Sequence, residues 1–419
     1  MKTKMMKSKV LAMGVMIALL AIGSAAQADV FGTGGNQFTI DFVSISGATN
    51  PASGYGIVNH DYRMGTFEIT NDQWDKFQAS LGVPVTGVPS SPPLSVAAGA
   101  YDTASYWTGS SIPYNNVSWY EAAQFVNWLN TSTGHQAAYK FTGTQGTSDY
   151  TLALWTTAEA AGGTNLYRHK DAYYFLPTED EWVKAAYWNG TTLTLQTYAN
   201  ASPGDLVSGK PDPAKWNYYH NGTSLPNAAP WAVGSGLTKE LNGTYDMMGN
   251  AYEWTGSPFT AGNYLTTAKR EPRGGSPLHD ETFMDVSQRY AGKKGGLQPE
   301  TESGDSGFRV ASLEPTAITL ASFEAKAGNR KVTLIWETAT EIDNAGFNIL
   351  RAESENGEYV QINESLIPAQ GTATQGSSYV FVDTEAANRM TYNYKLEDID
   401  LNGISTMHGP VSATPRLVR

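Results

Sequence analysis

The sequence predicts a long, loop-rich unit pinned by three short helices, followed after Leu313 by a small all-β sandwich. Two patterns predict it. Thr70, Ser118 and Thr178 each stand three residues before Gln73, Glu121 and Glu181, a spacing at which hydroxyl and amide or carboxyl cap the free amides of a helix start. From Ile318 onward apolar residues alternate instead, the two-residue period of strands with one buried face. Hydrophobic residues make up 41% and charged residues 16%, with 11 Trp, 23 Tyr and 14 Phe. That is enough for a large core and excludes disorder over most of the 419 residues. The 42 Gly and 20 Pro call for turns and ordered loops rather than helical bundles.

Taken in chain order, the first element is a leader. Lys2, Lys4, Lys7 and Lys9 form a positive head before the apolar run Val10 to Ile22, and Ala26-Gln27-Ala28 offers an A-x-A cleavage site. The run is short for a membrane-spanning helix, so residues 1–28 are expected to be a signal peptide and the mature chain to start at Asp29. Loss of the four lysines leaves 24 basic against 40 acidic residues, a balance of −16. Such a surface disfavours nucleic acid and anionic lipid. No second apolar run is long enough to span a bilayer, and no cysteine is present to form disulfides. A soluble periplasmic or extracellular protein is expected.

Trp74, Phe77 and Leu81 follow the first cap; Ala122, Phe125, Val126 and Leu129 the second; Trp182, Ala185 and Ala186 the third. The spacing is helical, and the rings read as core anchors. Pro84 to Pro113 is a Pro/Gly/Ser-rich connection, Phe141 to Gly163 an inserted Thr/Gly-rich loop, and Ala201 to Gly236 a run of turns. In the last hundred residues Val332, Leu334 and Trp336 share one face. Further strands are expected at Phe347–Arg351, Tyr359–Asn363, Tyr379–Val382, Thr391–Glu397 and Ile404–His408, with turns at Glu355-Asn356-Gly357 and Leu401-Asn402-Gly403. Trp336 on an early strand and Tyr392 or Tyr394 on a late one resemble the core markers of an immunoglobulin-like, fibronectin type III sandwich over 314–419. Such modules space or adhere rather than catalyse.

Six motifs in the first unit carry a second resemblance. They are Met64-Gly65-Thr66-Phe67-Glu68-Ile69-Thr70-Asn71; Asn116-Val117-Ser118-Trp119 with Ala122 and Asn127-Trp128-Leu129; Leu176-Pro177-Thr178-Glu179 with Glu181-Trp182 and Ala185-Ala186; Tyr245 through Trp254; Arg273-Gly274-Gly275-Ser276; and Gly307-Phe308-Arg309-Val310. Together, over residues 38–312 and in family order, they resemble the formylglycine-generating enzyme, or sulfatase-modifying factor, family. The resemblance implies a compact α+β fold with little regular structure, related to C-type lectin-like domains, over residues 29–313. In catalytic members two cysteines bind copper(I), and oxygen oxidises a substrate cysteine to formylglycine. Other members serve as binding or accessory domains.

The family's cysteine pair falls on His279 and Met284. The oxidation needs two soft, anionic thiolates, whereas imidazole and thioether are neutral donors. The family reaction is therefore not expected, nor is copper. His60, His135, His169, His220 and His408 supply no H-x-H or H-E-x-x-H pattern to replace it. Ser276 persists, and Tyr252 stands where tryptophan is usual. Asp280, Glu281 and Asp285 read as solvated loop acids. The resemblance further implies calcium, held by the side chains of Asp246 and Glu253 and the carbonyls of Gly249 and Ala251, with a second site at Asn217 and the carbonyl of Tyr218. Hard oxygens on a glycine-containing turn suit that ion.

The expected function is a non-catalytic, calcium-stabilised binding or accessory module for a peptide, glycan or cell-surface protein. Its ligand groove would be lined by Ser276, His279, Met284 and Arg289. The alternatives are an oxidoreductase of the same family with altered metal chemistry, or a structural envelope or matrix protein.

Overall fold

The computed structural model describes residues 27–80, 105–144, 150–200, 202–220, 223–224, 229–289, 295–314, 318–341, 344–355, 357–372, 375–400 and 405–417. The expected leader through Ala26, most of the Pro84–Pro113 connection, Leu81 and the turns at Asn356 and 401–403 lie outside the described residues. Two compact units divide between Leu313 and Glu314. No helix among the described residues is long and apolar enough to cross a membrane.

The first unit is built on strands β1 (Gln27–Phe31), β2 (Phe38–Ile45), β3 (Tyr62–Gly65), β4 (Tyr174–Phe175), β5 (Tyr252–Pro258), β6 (Arg270–Arg273), β7 (Ser306–Gly307) and β8 (Ala311–Leu313). One sheet runs β1-β2-β3-β8-β4, antiparallel throughout. A second runs β6-β5-β7, antiparallel at β6 and parallel at β7. β1 includes Gln27 and Ala28 and so extends two residues upstream of the expected cleavage point. Its Asp29 holds the buried Arg63 guanidinium through both carboxylate oxygens and accepts from the Tyr174 hydroxyl at 2.8 Å.

The three helices stand where the caps place them: α1 (Asn71–Ser80), α2 (Trp119–Ser132) and α3 (Glu179–Tyr187). Ser118 Oγ accepts from Glu121 N at 3.2 Å while Glu121 returns a carboxylate oxygen to Ser118 N at 2.7 Å. Thr178 and Glu181 repeat the exchange at the same two distances. Trp74, Trp119 and Trp182 are fully buried. Trp74 lies flat against Tyr114 and Phe125, with centroids 4.1 and 5.6 Å away. α2 is buried on nearly every side and packs on β4. The stretch Phe141–Gly163 is not one loop. Lys140–Thr142 pairs with Thr151–Ala153 and Ala160–Ala161 starts a further hairpin, with Phe141 stacked on Tyr150 at 5.2 Å. Three-residue strands are too short to show a period in sequence.

In the second unit the described strands are β9 (Ile318–Ala327), β10 (Val332–Glu341), β11 (Asn344–Ala352), β12 (Val360–Gln361), β13 (Ile367–Pro368), β14 (Ser378–Asp383), β15 (Tyr392–Asp400) and β16 (Ser405–Ala413). One sheet runs β9-β10-β14; the other runs β12-β11-β15-β16, with β13 also on β11. Both contribute to one apolar core in which Trp336 stacks on Tyr379 at 5.0 Å and meets Phe347 edge-on at 5.5 Å. Tyr394 is fully buried and donates to Asp383 at 2.8 Å.

The capping hydroxyls generate a first prediction. Ser118→Ala and Thr178→Ala should each lower the unfolding free energy of the first unit by about 1 kcal/mol, read from denaturant melts. No loss at either position would mean that the capping exchange adds nothing to stability.

Candidate binding site

The second sheet sets the position of the site. Arg273 at the end of β6 faces Glu253, and Ser306 at the start of β7 faces Tyr252. The segment leaving β6 and the segment entering β7 therefore meet at the start of β5. The chain leaves β6 through Gly274 and Gly275, both at positive φ (101° and 80°), a region that side chains rarely adopt. Gly274 O accepts Gly249 N–H at 2.7 Å, and a Cβ on Gly275 would lie 3.2 Å from Met284 Cγ. This turn places Ser276 and His279 beside Asp305, which lies 29 residues after Ser276 and was not among the sequence-derived candidates.

Ser276 Oγ lies 2.7 Å from His279 Nδ1 and 3.4 Å from Asp305 Oδ2, and it accepts Leu278 N–H at 3.3 Å. Asp305 Oδ2 is 4.0 Å from the same imidazole nitrogen. A nucleophilic triad needs the hydroxyl and the acid on opposite ring nitrogens; here both face Nδ1. Ser276 is also fully buried. The cluster is a hydrogen-bonded brace, not an acyl-transfer centre. The His279 ring packs edge-on to Tyr252 at 4.9 Å and against Phe283 at 4.7 Å.

Against this brace lies a pocket of about 180 Å³, walled by Tyr106, Trp107, Pro230, Pro277 and Leu278 and closed by the Ser303–Asp305 turn. The Tyr106 and Trp107 rings stand at 89° to each other with centroids 4.8 Å apart. Tyr106 is 66% and Leu278 55% exposed. Large apolar side chains that open to solvent around a few polar atoms are the usual composition of a ligand pocket.

Two groove residues expected from the sequence stand elsewhere. Met284 is fully buried among Trp182, Tyr187 and Met248, and its carbonyl accepts the Tyr187 hydroxyl at 2.9 Å. The 3₁₀ turn Glu281–Met284 carries its side chain inward, so it is core and not groove. Arg289 pairs with Glu179 at 2.8 Å and Glu271 at 3.6 Å, and donates to Phe259 O at 2.8 Å. Its guanidinium belongs to an ion network shared with Arg273, which also holds Glu179. Glu281 is not a solvated loop acid either. It is buried and pairs with Lys210, while Asp280 caps the 3₁₀ turn through Thr282 N.

The residues carried over as calcium ligands surround a buried ionic centre. Arg309 Nε and Nη2 each donate to a Glu253 oxygen at 2.6 Å, and Trp182 Nε1 adds a third bond to that carboxylate at 2.7 Å. Both oxygens of Glu253 are thus engaged. Asp246, at φ 62°, accepts Gly234 N–H at 2.5 Å. Asn217 lies against the same turn: its carbonyl accepts Asn250 N–H at 2.8 Å and would lie 2.2 Å from a Cβ on Gly249. The two sites separated in the sequence reading therefore share one neighbourhood. Tyr218 is buried with its hydroxyl on Pro211 O at 2.5 Å.

Glu68 joins this centre through Asn250 Nδ2, 3.0 Å from its Oε1. Glu68 Oε2 and Asn217 Oδ1 are buried and have no hydrogen-bond partner among the described residues. Burial, then the Asp246 charge, pushes the Glu68 carboxyl well above its usual range. Burial likewise raises Asp246. Glu240, also buried and near Asp246, rises to about 8. Burial works against the Arg309 charge, but the Glu253 carboxylate outweighs it and holds that guanidinium above its ordinary value. One arginine thus faces several buried acids, and the orphaned oxygens are hard donors of the type calcium takes.

Comparison with known proteins agrees with this assembly of motifs. The sulfatase-modifying factor enzyme 1-like domain model matches residues 23–313. Chaperone protein LppX of Paenibacillus barcinonensis is 26% identical over 323 residues, covering 70% of this chain and 97% of that protein. Among solved structures, Treponema denticola variable protein 1 aligns at 20% identity and a TM-score of 0.43, covering 68% of this chain and 99% of that one. A Fn3-like protein from Clostridium thermocellum aligns at 18% identity and a TM-score of 0.17, covering 25% and 100%. The chain belongs to the sulfatase-modifying factor enzyme 1-like family.

Proposed function

We propose that this chain is an exported, non-catalytic member of its family, a calcium-stabilised binding or accessory module whose client is a polypeptide. One observation carries the reading. The position that catalytic members give to a thiolate pair holds His279 and Met284, and Met284 is walled into the core. What remains at the surface is an aromatic pocket on a hydrogen-bonded brace. The relative LppX is named a chaperone, which favours a polypeptide over a glycan or a small surface ligand. In this reading residues 1–28 direct export to the periplasm or beyond. Residues 29–313 form the C-type lectin-like scaffold of the family, and 314–419 form a fibronectin type III-like spacer.

Calcium would be held by Asp246, Glu68 and Asn217, with the carbonyls of Gly249 and Ala251 as the family resemblance implies. Glu253 would stay with Arg309. The ion would supply positive charge to a centre where buried carboxylates outnumber the guanidinium, and so replace the protons that burial otherwise holds on them.

Two tests follow. Without divalent ions, protons on the buried acids stabilise the fold, because their folded pKa lies above the unfolded one. For Glu240 that stabilisation is complete below the usual 4.5 and is lost as pH rises through about 8. The melting temperature of metal-free protein should fall over that window, and Glu240→Gln should flatten the fall. Calcium should restore the loss at pH 8 and do little at pH 4.5, and Asp246→Asn should abolish the response. An identical melt with calcium and with chelator at pH 8 would remove the ion from the proposal.

For function, protein incubated with copper(I) in air should form no aldehyde on a cysteine peptide, while untreated protein should slow aggregation of a reduced, unfolded test protein. Trp107→Ala should weaken the second effect. Aldehyde formation on the peptide would refute the non-catalytic reading, and failure to affect aggregation would refute the client.

A further inference from the structure

The pocket carries information about the chemistry of what it takes, and this step rests on the binding role proposed above. Asp305 lines it with a carboxylate whose side chain is 19% exposed. Among the described residues no lysine or arginine pairs with that carboxylate; its neighbours are the hydroxyls of Ser303 and Ser276, and His279 at 4.0 Å. An acid without a permanent cation, at the edge of a pocket in a chain of net charge −12, is an electrostatic vacancy for positive charge. The walls fit the same ligand. Tyr106 and Trp107 present two rings at right angles, half of the box in which aromatic faces hold cations. Pro230, Pro277 and Leu278 offer apolar surface to an alkyl stem.

We propose that this pocket binds an alkylammonium group, its charge beside Asp305 and its stem against Tyr106 and Trp107. The hydroxyl contacts favour ammonium over guanidinium. Ser303 donates to Oδ1 and Ser276 to Oδ2, so two of the lone pairs for which the paired N–H groups of an arginine would compete are already taken. A compact point charge needs only one remaining lone pair. Gly304 is part of the design: a Cβ there would lie 3.3 Å from Tyr106 Cγ and 3.4 Å from Cδ1. Its bare backbone lets the exposed tyrosine lie close over the turn that carries Asp305. The chemistry has two sources, a lysine side chain on a polypeptide client or a choline-type headgroup.

Calorimetric titration of the full chain at low salt separates these possibilities, with N-acetyl-lysine methylamide, its arginine and norleucine counterparts, choline and a neutral disaccharide as probes. The lysine probe should bind, and the norleucine probe, with the same stem and no charge, should bind about tenfold more weakly or not at all. Asp305→Asn, which keeps the shape, should give a similar loss. Gly304→Ala should weaken the lysine probe by displacing Tyr106, with thermal melts confirming that both variants fold. Norleucine binding as tightly as lysine, or Asp305→Asn leaving the lysine affinity unchanged, would overturn the cation while leaving the pocket a binding site. A tighter arginine probe would overturn the preference for ammonium. Choline binding with the lysine probe silent would keep the ammonium and refute the polypeptide client. Binding of the disaccharide alone, or of no probe, would overturn the inference, and silence of every probe would count against the pocket itself.

Discussion

The Arg309–Glu253 pair is the constraint around which the first unit is organised. Both side chains are fully buried, and the arginine spends all of its donor groups. Two go to Glu253, and the rest to the carbonyls of Gly65, Thr66 and Tyr245. Those acceptors come from two distant parts of the chain, residues 65–66 and 245–253, and Trp182 on α3 adds a third through Glu253. Removing either charged partner would leave the other buried and uncompensated, a loss on the order of 3–5 kcal/mol. The pair thereby fixes where β3, β5, α3 and the turn before β5 stand relative to one another. A second network repeats the device nearby, with Arg273 and Arg289 sharing Glu179.

That arrangement explains why five of the six separated motifs can be read as one unit. Gly65 and Thr66 belong to the first motif, Trp182 and Glu179 to the third, Tyr245 and Glu253 to the fourth, Arg273 to the fifth and Arg309 to the last. Each is held by a partner 56 to 244 residues away, not by its near neighbours. The price is an acidic surplus. Glu68, Asp246 and Glu240 sit near the same centre, and a single guanidinium cannot neutralise them. Their pKa values, raised first by burial and then by neighbouring carboxylates, and the orphaned oxygens of Glu68 and Asn217 mark the same crowded, desolvated centre.

Local chemistry was legible in the sequence and tertiary chemistry was not. Ser118 and Thr178 announced their helices because a cap and its partner are three residues apart. Val332, Leu334 and Trp336 announced a strand because alternation is a near-neighbour property. The hairpin strands at Lys140–Thr142 and Thr151–Ala153 escaped notice because three residues show no period. Asp305 escaped for a different reason: its relation to Ser276 and His279 exists only once β5 lies between β6 and β7. Met284 was misplaced because spacing along the chain locates a residue but not the direction of its side chain. A glycine at 275 with positive φ and an adjacent 3₁₀ turn send that side chain into the core.

The same turn bears on how, in the proposed reading, a scaffold of this family would keep its shape without a thiolate pair. The Gly274–Gly275–Ser276 segment is held by backbone contacts, Gly249 N–H on Gly274 O above all, and none of them requires a thiol nearby. At one of the two positions the buried Met284 adds apolar packing. At the other position His279 sets a ring edge-on to Tyr252 and bonds Ser276. Neither side chain is an anionic donor, and Met284 belongs to the core rather than to the pocket. Asp305 is the charged side chain that lines the pocket, and in the proposed reading selectivity would rest on it as an electrostatic complement. A site of this kind would discriminate by charge and shape, as the proposed binding role requires.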